Sequence, residues 1–573
     1  MMVRWRSDLI VVVPLLVVVG TFTAWWTHLD VNSFTLQTHG DQVWIQASAQ
    51  VAMQSGPFTT NTHAGWFSGF NPWAYPGLGS LGFYVLAWMG GLFTSSSSEV
   101  LVGIMAITAM VVAIASYLAI RLVPVGRVEP WIAGLGALTL GLSPYVLSKM
   151  GHYSVGAWYV LAAGIATAAA LTRWRSLRIR IAALALFGLA VFASSMWWIV
   201  VVLYALALVL VVSVLLRRWE WVRGAGAMVL AALVGAAVPV WLTIVNTVPG
   251  GTTNRAPWES TYFGGSLTDI LLASPWLTDA LPRLSDVTPG ASKELSAVGL
   301  IPAIFAATAV VIALTAFLGL NRRWKGSSGW VLLVLQVTLL SFLTLGLGTL
   351  QEAVLILVGV ESPLRGWSRL IVVIALLGMV LAAPAVSAWW RSIGSAVARW
   401  SVVGVTSVVV FGASILDARS IELMTPRTLP SIEEASAVAY LSETIGDCPV
   451  AQLPVGTFPD FPMGDGSPES ITHFYRGFVP YLLNPDGRWS FGAAKGTASD
   501  ELLRAMPEDI GPRSMAVLSD AGYCAVLFDT EFAQYLESRS VSWPGTRMAG
   551  DNPALDGGRF RVYLTPLPAS ALT

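Results

Sequence analysis

The sequence predicts a polytopic α-helical membrane protein that carries a small α/β domain outside the membrane at its C-terminal end. Three observations predict it. Hydrophobic residues make up 55% of the 573 positions and charged residues only 12%, about half the roughly 25% of a soluble chain, and mean hydropathy is +0.67. Apolar runs near the roughly 20 residues that a bilayer crossing needs recur up to position 416. From Asp417 onward no such run remains, and acidic residues, Pro and Asp-Gly turns take over.

The elements follow in order. The N-terminal "MMVRWRSD" is basic and leads into the apolar run 9–26. No small-residue cleavage site follows, so this run reads as a retained anchor. Further spans are expected at 100–120, 130–148, 157–172, 181–195, 197–216, 224–245, 296–319, 330–349, 369–389 and 401–416, eleven in all with the first. A shorter Gly-rich piece, 78–93, is settled by the basic clusters Arg4/Arg6, Arg121/Arg127, Arg173–Arg180, Arg217–Arg223, Arg322–Lys325 and Arg391/Arg399. If 78–93 is interfacial or re-entrant, all six clusters fall inside, as the positive-inside rule requires. The expected topology puts the N-terminus in the cytoplasm of a bacterial cell and the protein in its plasma membrane. The outer face receives 27–99, 149–156, 246–295, 350–368 and the tail. Two domains are expected: 1–416 in the membrane, with a first outer loop at 27–99, and 417–573 outside it. A formal net charge of zero gives no electrostatic footprint for nucleic acid.

Polar residues on the outer face are the candidates for chemistry. Asp41 stands just after the first span, between Gly40 and Gln42 and near His39, at the head of "QVWIQASAQVAMQ", whose apolar spacing is helical. Such an Asp caps a helix and suits its dipole. At the membrane surface it also has the chemistry of a general base for an acceptor hydroxyl. The loop "NTHAGWFSGFNPWAYPG" places Trp66, Trp73 and Tyr75 among Gly and Pro; aromatic faces there stack on sugar rings or anchor at the interface. Lys149 and His152 in "SKMGHYS", Glu259 in the loop 246–295 and Glu294 at its end can meet a phosphate or a hydroxyl. Arg255, Arg365 and Arg369 lie outside, against the inside bias of basic residues. The guanidinium fork matches a phosphate; a Glu361–Arg365 pair or snorkelling is the alternative.

In the tail, "SIEEASAVAYLSETIGD" predicts a helix with Ser431 as N-cap and Glu434 at the capping-box position. "CPVAQLP", "YCAVLFD" and "FRVYLTPL" predict strands and "SMAVLSDAG" a second helix, which together make a small α/β domain. Cys448 and Cys524 each open a strand after a helix. That placement suits neighbouring strands, and an oxidising compartment favours a disulfide over two buried thiols. The loop "GRWSFGAAKG" (487–496) either binds a sugar or phosphate or docks the domain on the membrane part.

With these residues in place, the chain resembles the membrane glycosyltransferases of the GT-C fold that use polyprenyl-phosphate sugars, and among them bacterial, actinobacterial-type relatives. The resemblance rests on Gly40–Asp41 after the first span, on the Pro-containing turn "NPWAYPGLGSLGF", on two spans joined by a basic turn and ending in "LSPYVLSKMGH", and on a tail with "RWSFGAAKG". It implies an inverting transfer from the lipid-linked donor to a glycan, lipid or protein hydroxyl, with Asp41 as base. Arg255, Arg365 or Arg369 would hold the leaving phosphate. Many members keep a second acidic residue in the second outer loop, where this chain has Lys149 and His152. No metal site or other cofactor is therefore predicted, and a divalent ion stays open. Two other functions suit a polytopic chain: a transporter or flippase of lipid-linked envelope precursors, and a non-catalytic scaffold of envelope assembly. Against the first stands the lack of a charged residue near the centre of any predicted span.

Overall fold

The computed structural model describes residues 2–28, 40–74, 80–123, 127–149, 156–247, 299–317, 329–344, 353, 356–357, 367–424, 431–456, 475–550 and 552–566. The chain divides into two compact units. The first comprises Met1–Trp26, Met105–Val240 and Asn254–Pro426; the second comprises Thr27–Ile104, Trp241–Thr253 and Arg427–Thr573.

The helices follow the apolar runs. Among the described residues six are long and apolar enough to cross a bilayer: Ser7–Trp26, Ser97–Arg121, Met196–Leu215, Trp219–Asn246, Ile371–Ser392 and Ala396–Asp417. Shorter helices at Pro130–Gly141, Tyr159–Arg173, Leu177–Ala193, Leu300–Phe317 and Gly329–Thr344 fall where the remaining spans are expected. In the first unit Ile371–Ser392 is the most buried of the candidate spans and packs on Leu300–Phe317, Gly329–Thr344 and Pro130–Gly141. Asp8 ties the N-terminal helix to its neighbour. Its Oδ1 accepts from Arg121 Nε at 2.7 Å and from the Tyr117 hydroxyl at 2.5 Å, so a charge in an apolar bundle meets its partners.

Two boundaries in this unit differ from the sequence reading. The span expected at 130–148 is broken: Pro130–Gly141 ends and a short helix, Pro144–Lys149, follows. The Ser143 hydroxyl accepts from the Val146 N–H at 3.3 Å, and Pro144 takes the first helical position, where its missing N–H costs nothing. Asp417, expected to open the tail, lies inside the helix Ala396–Met424. Its Oδ2 accepts from the Leu300 N–H at 3.0 Å. An acidic residue that reads as the start of a polar segment is here a cap for a neighbouring helix.

The second unit joins the loop after the first span to the tail. Its strands are β1 (Val450–Leu453), β2 (Asp509–Ile510), β3 (Ala525–Asp529), β4 (Arg547–Met548), β5 (Leu555–Gly557) and β6 (Phe560–Leu564). The main sheet has the order β1-β3-β6-β5. β1 and β3 are parallel, with Val450 opposite Ala525, and β6 runs antiparallel to both β3 and β5. β1 is buried throughout and β3 up to Asp529, which is why both read as continuous apolar runs. Cys448 and Cys524 form a disulfide just ahead of these paired strands, with Cα atoms 5.9 Å apart. The helix Ile432–Ile445 packs on β5 and β6.

A seam extends the sheet into the first loop. The Val450 N–H donates to Arg488 O at 2.8 Å, and the Ser490 N–H to Val450 O at 3.0 Å. On the other side the Trp489 N–H donates to His63 O at 2.7 Å and the Gly65 N–H to Phe491 O at 2.8 Å. Gly65 has φ +73, and a Cβ there would stand 2.7 Å from the Ala493 nitrogen, so glycine alone lets the two backbones close. The "GRWSFGAAKG" stretch is thus a docking element, and it docks on the loop that follows the helix Gly40–Ser55.

Candidate functional site

Asp41 lies in the first turn of the helix Gly40–Ser55, one residue inside its start. A carboxylate in a first turn is favoured by the orphan amides and the helix dipole, typically by about 0.3–1 kcal/mol. The side chains of Asp41 and Gln42 fall outside the described set, as does that of Lys149, the last residue of its helix. His39, Tyr75, His152, Arg255, Glu259, Glu294 and Arg365 lie wholly outside the described residues.

How this helix is held is well defined. Every residue from Val43 to Gln50 is buried. Gln46 Nε2 donates to Ser98 Oγ at 3.0 Å and to Ser97 Oγ at 3.3 Å. At the far end Gln54 Oε1 accepts from the Tyr481 hydroxyl at 2.7 Å and from Asn61 Nδ2 at 3.0 Å, while Gln54 Nε2 donates to Pro485 O at 3.0 Å. Tyr481 is fully buried, and burial pushes its hydroxyl well above the usual phenol range, so it stays a neutral donor. Asn61 makes the corner: its Nδ2 also donates to Ser55 Oγ at 2.9 Å, and its Oδ1 accepts from the His63 and Ala64 N–H groups at 2.8 and 3.1 Å. None of Gln54, Asn61 and Tyr481 stands out in the sequence. The one local signal is the Asx turn that Asn61 makes with His63.

One expected sugar platform, Trp73, is corrected, and another, Trp66, is partly buried. Trp73 is 0% exposed; its Nε1 donates to Pro57 O at 2.8 Å and its ring meets Tyr84 edge-on at 5.5 Å. Trp66 packs against the tail's core, its carbonyl accepts from the Tyr523 hydroxyl at 2.8 Å, and the Arg488 guanidinium lies 4.9 Å from its ring centroid. A Gly- and Pro-rich loop that folds back on itself has few aliphatic residues, so its aromatics become its core.

The helix Leu81–Gly91 packs on the Asp41 helix. Its 11 residues reach only about 16 Å at roughly 1.5 Å per residue, half of the ~30 Å hydrocarbon thickness. It exposes Trp88 and Met89, and the turn after it exposes Leu92 and Phe93, which suits a helix lying in the membrane interface.

In the first unit Arg369 closes the 3₁₀ turn Trp367–Leu370. It is 8% exposed, and its Cζ stands 5.4 Å from the Trp197 ring centroid, beside the Ser194–Ser195 break between two helices. Among the described residues no group of three His, Cys, Asp or Glu is placed to hold a metal ion.

No family model matches the sequence, and no curated protein matches it. Solved structures do. The archaeal oligosaccharyltransferase AglB from Archaeoglobus fulgidus, in complex with an inhibitory peptide and a dolichol-phosphate, is similar over 91% of this chain and 69% of its own, at 13% identity and a TM-score of 0.52. ArnT from Cupriavidus metallidurans in the apo state is similar over 95% of this chain and 98% of its own, at 12% identity and a TM-score of 0.52. At such identity the likeness is one of fold: this chain is a multi-pass membrane protein with the GT-C fold and a small α/β domain in its C-terminal region.

Proposed function

We propose that the protein is a membrane glycosyltransferase. It moves a hexosyl or pentosyl group from a polyprenyl-phosphate donor to an acceptor hydroxyl of the cell envelope, on the outer face of the bacterial plasma membrane. The observation that carries this reading is the GT-C fold over nearly the whole chain, with an acidic residue in the first turn of the buried helix that follows the first span. The AglB structure holds a dolichol-phosphate, a lipid phosphate of the donor class proposed here.

Asp41 takes the proton of the acceptor hydroxyl as its oxygen attacks the anomeric carbon. The bond from that carbon to the phosphate oxygen breaks, the lipid phosphate leaves with the electron pair, and the anomeric configuration inverts. Arg369, with Arg255 and Arg365 as further cations, binds the leaving phosphate and stabilises its growing charge. His39, Gln42, Tyr75, Lys149, His152, Glu259 and Glu294 supply polar contacts to donor and acceptor. The N-terminus is cytoplasmic and the tail lies outside, so donor, base and acceptor meet at one headgroup level.

The test is transfer by the purified protein from a panel of polyprenyl-phosphate pentoses and hexoses to envelope glycan, read by mass spectrometry. One donor is expected to yield free polyprenyl phosphate and an acceptor one sugar heavier. A folded protein that transfers from none of them overturns the reading.

A further inference from the structure

The first unit carries an apolar groove that this transfer chemistry does not use. It lies between the helices Leu177–Ala193 and Trp219–Asn246, which meet at two glycines. A Cβ on Gly235 would collide with Gly188 O, and one on Gly188 would stand 3.1 Å from Ala231 O, so only glycine lets the two backbones close. Gly188 lies against Ala231 and Val191 against Gly235, so the helices run in the same direction. The groove beside this contact has a volume of about 590 Å³, within the roughly 300–1,000 Å³ of small-molecule sites. Ile181, Ala185 and Leu189 line it from one helix and Ala227, Leu230 and Val234 from the other. Ile181, Leu189, Leu230 and Val234 are each more than half exposed, so the groove opens to the bilayer.

Helix periodicity gives the groove a charged end. On the first helix the groove positions 181, 185, 188 and 192 continue one turn earlier to Arg178. On the second, 227, 231 and 235 continue one turn earlier to Arg223. Both arginines are exposed, and among the described residues neither is in an ion pair. Seven arginines cluster at 173–180 and 217–223, against one carboxylate, Glu220. Asp8 and Glu129, the other described carboxylates expected on this side, pair with Arg121 and Arg391. Both helices start at this end, so their dipoles add to its positive potential.

The occupant's chemistry follows from this pairing. An apolar groove open to the bilayer takes acyl chains, and the arginines at its mouth select the headgroup. The guanidinium fork matches a phosphodiester, and basic clusters beside membrane helices attract anionic lipids. A zwitterionic lipid would bring its own ammonium to these cations; a lipid of net negative charge would not. Arginines serving only as topology signals would explain the charge, but not its place on the groove face of both helices. We infer that this groove binds one anionic glycerophospholipid, its phosphate held by Arg178 and Arg223 and its acyl chains laid along the groove. With the N-terminus in the cytoplasm, as proposed, the lipid belongs to the inner leaflet, away from the face where transfer is proposed. Binding here needs no turnover and is independent of the transferase reading.

The test is native mass spectrometry of the full-length protein in detergent, titrated separately with dioleoyl phosphatidylglycerol, dioleoyl phosphatidylcholine and undecaprenyl phosphate. Phosphatidylglycerol is expected to bind roughly tenfold more tightly than phosphatidylcholine. Replacing Arg178 and Arg223 together by Gln should bring it down to the phosphatidylcholine level. Ala185→Trp, which fills the exposed groove and leaves both arginines intact, should weaken it several-fold and decides the matter if the double variant does not fold. Phosphatidylglycerol that binds no better than phosphatidylcholine would overturn the inference, as would undiminished binding in the folded variants. So would undecaprenyl phosphate that outbinds phosphatidylglycerol and is lost in the double variant, since the groove would then be a polyprenyl site.

Discussion

The two units are built by opposite routes. In the first, each helix is dictated by its own apolar run, and capping groups such as Asp417 tie one helix to the next. In the second, the decisive contacts span almost the whole chain: Tyr481 reaches Gln54 across 427 positions, and Trp489 lies between His63 and Val450. The difference teaches where the proposed catalytic helix draws its rigidity. Gly40–Ser55 follows the first span in sequence, but a segment near the other end of the protein holds its far end. Damage to the tail should therefore reach the Asp41 helix, whereas each membrane helix is specified locally.

The largest effect that would sharpen this contrast is Trp489→Ala. Trp489 is 1% exposed at the seam, and truncating a buried Trp costs about 3–5 kcal/mol. Limited proteolysis should then cut both the first loop and the tail while the membrane helices keep their far-UV signal. Cutting confined to the tail would break the idea of a single second unit. Replacing Cys448 and Cys524 together by Ser should cost about 4.5 kcal/mol in the loop-entropy account for a separation of 76 residues, seen as a lower unfolding midpoint of the same unit. An unchanged midpoint would show that the seam alone is sufficient. Tyr481→Phe removes one buried donor and should cost about 1 kcal/mol. It should also speed hydrogen exchange at the C-terminal end of the Asp41 helix; exchange that stays at the wild-type rate would mean the clamp is idle.

The smallest effect is a pH dependence. Burial holds the Glu434 carboxyl above its ordinary range, against the pull of Arg476. The unfolded chain releases that proton near ~4.3. Between that pH and the raised folded value the native state binds more protons than the unfolded one, so stability falls as pH rises through the window. Glu434→Gln should flatten this part of the stability profile of the second unit. An identical profile in the variant would show that another group sets the slope.

Legibility in the sequence divides along the same line. Apolar runs marked the membrane helices because length and hydropathy are local properties. Ser431 marked a helix start for the same reason, and the alternation of helix and strand in the tail marked its α/β character. The break at Ser143–Pro144 sat inside an apolar run, so hydropathy passed over it. Trp66 and Trp73 had the composition of a ligand platform, but Trp73 is buried against Pro57 and Tyr84 and Trp66 is packed in part on the cluster around Tyr523, and an aromatic in a Gly-rich loop looks the same in either role. The Gln54–Asn61–Tyr481 junction has no local signature, since nothing near residue 54 announces a hydroxyl from residue 481. The capping motif at Ser431 is half true: Ser431 Oγ accepts from the Glu434 N–H at 3.1 Å, but the Glu434 carboxylate turns inward to Arg476.

The most direct test of the central claim compares sugar transfer by Asp41→Asn with that of the wild type. Both proteins are first checked for equal proteolytic resistance of the second unit and equal co-purified polyprenyl phosphate. Asparagine keeps the size and the capping ability of the residue but cannot take a proton from the acceptor. The account predicts a rate lower by about 10²–10⁴-fold with donor binding unchanged. A variant that transfers at near the wild-type rate would contradict it, leaving Asp41 as a helix-stabilising carboxylate only.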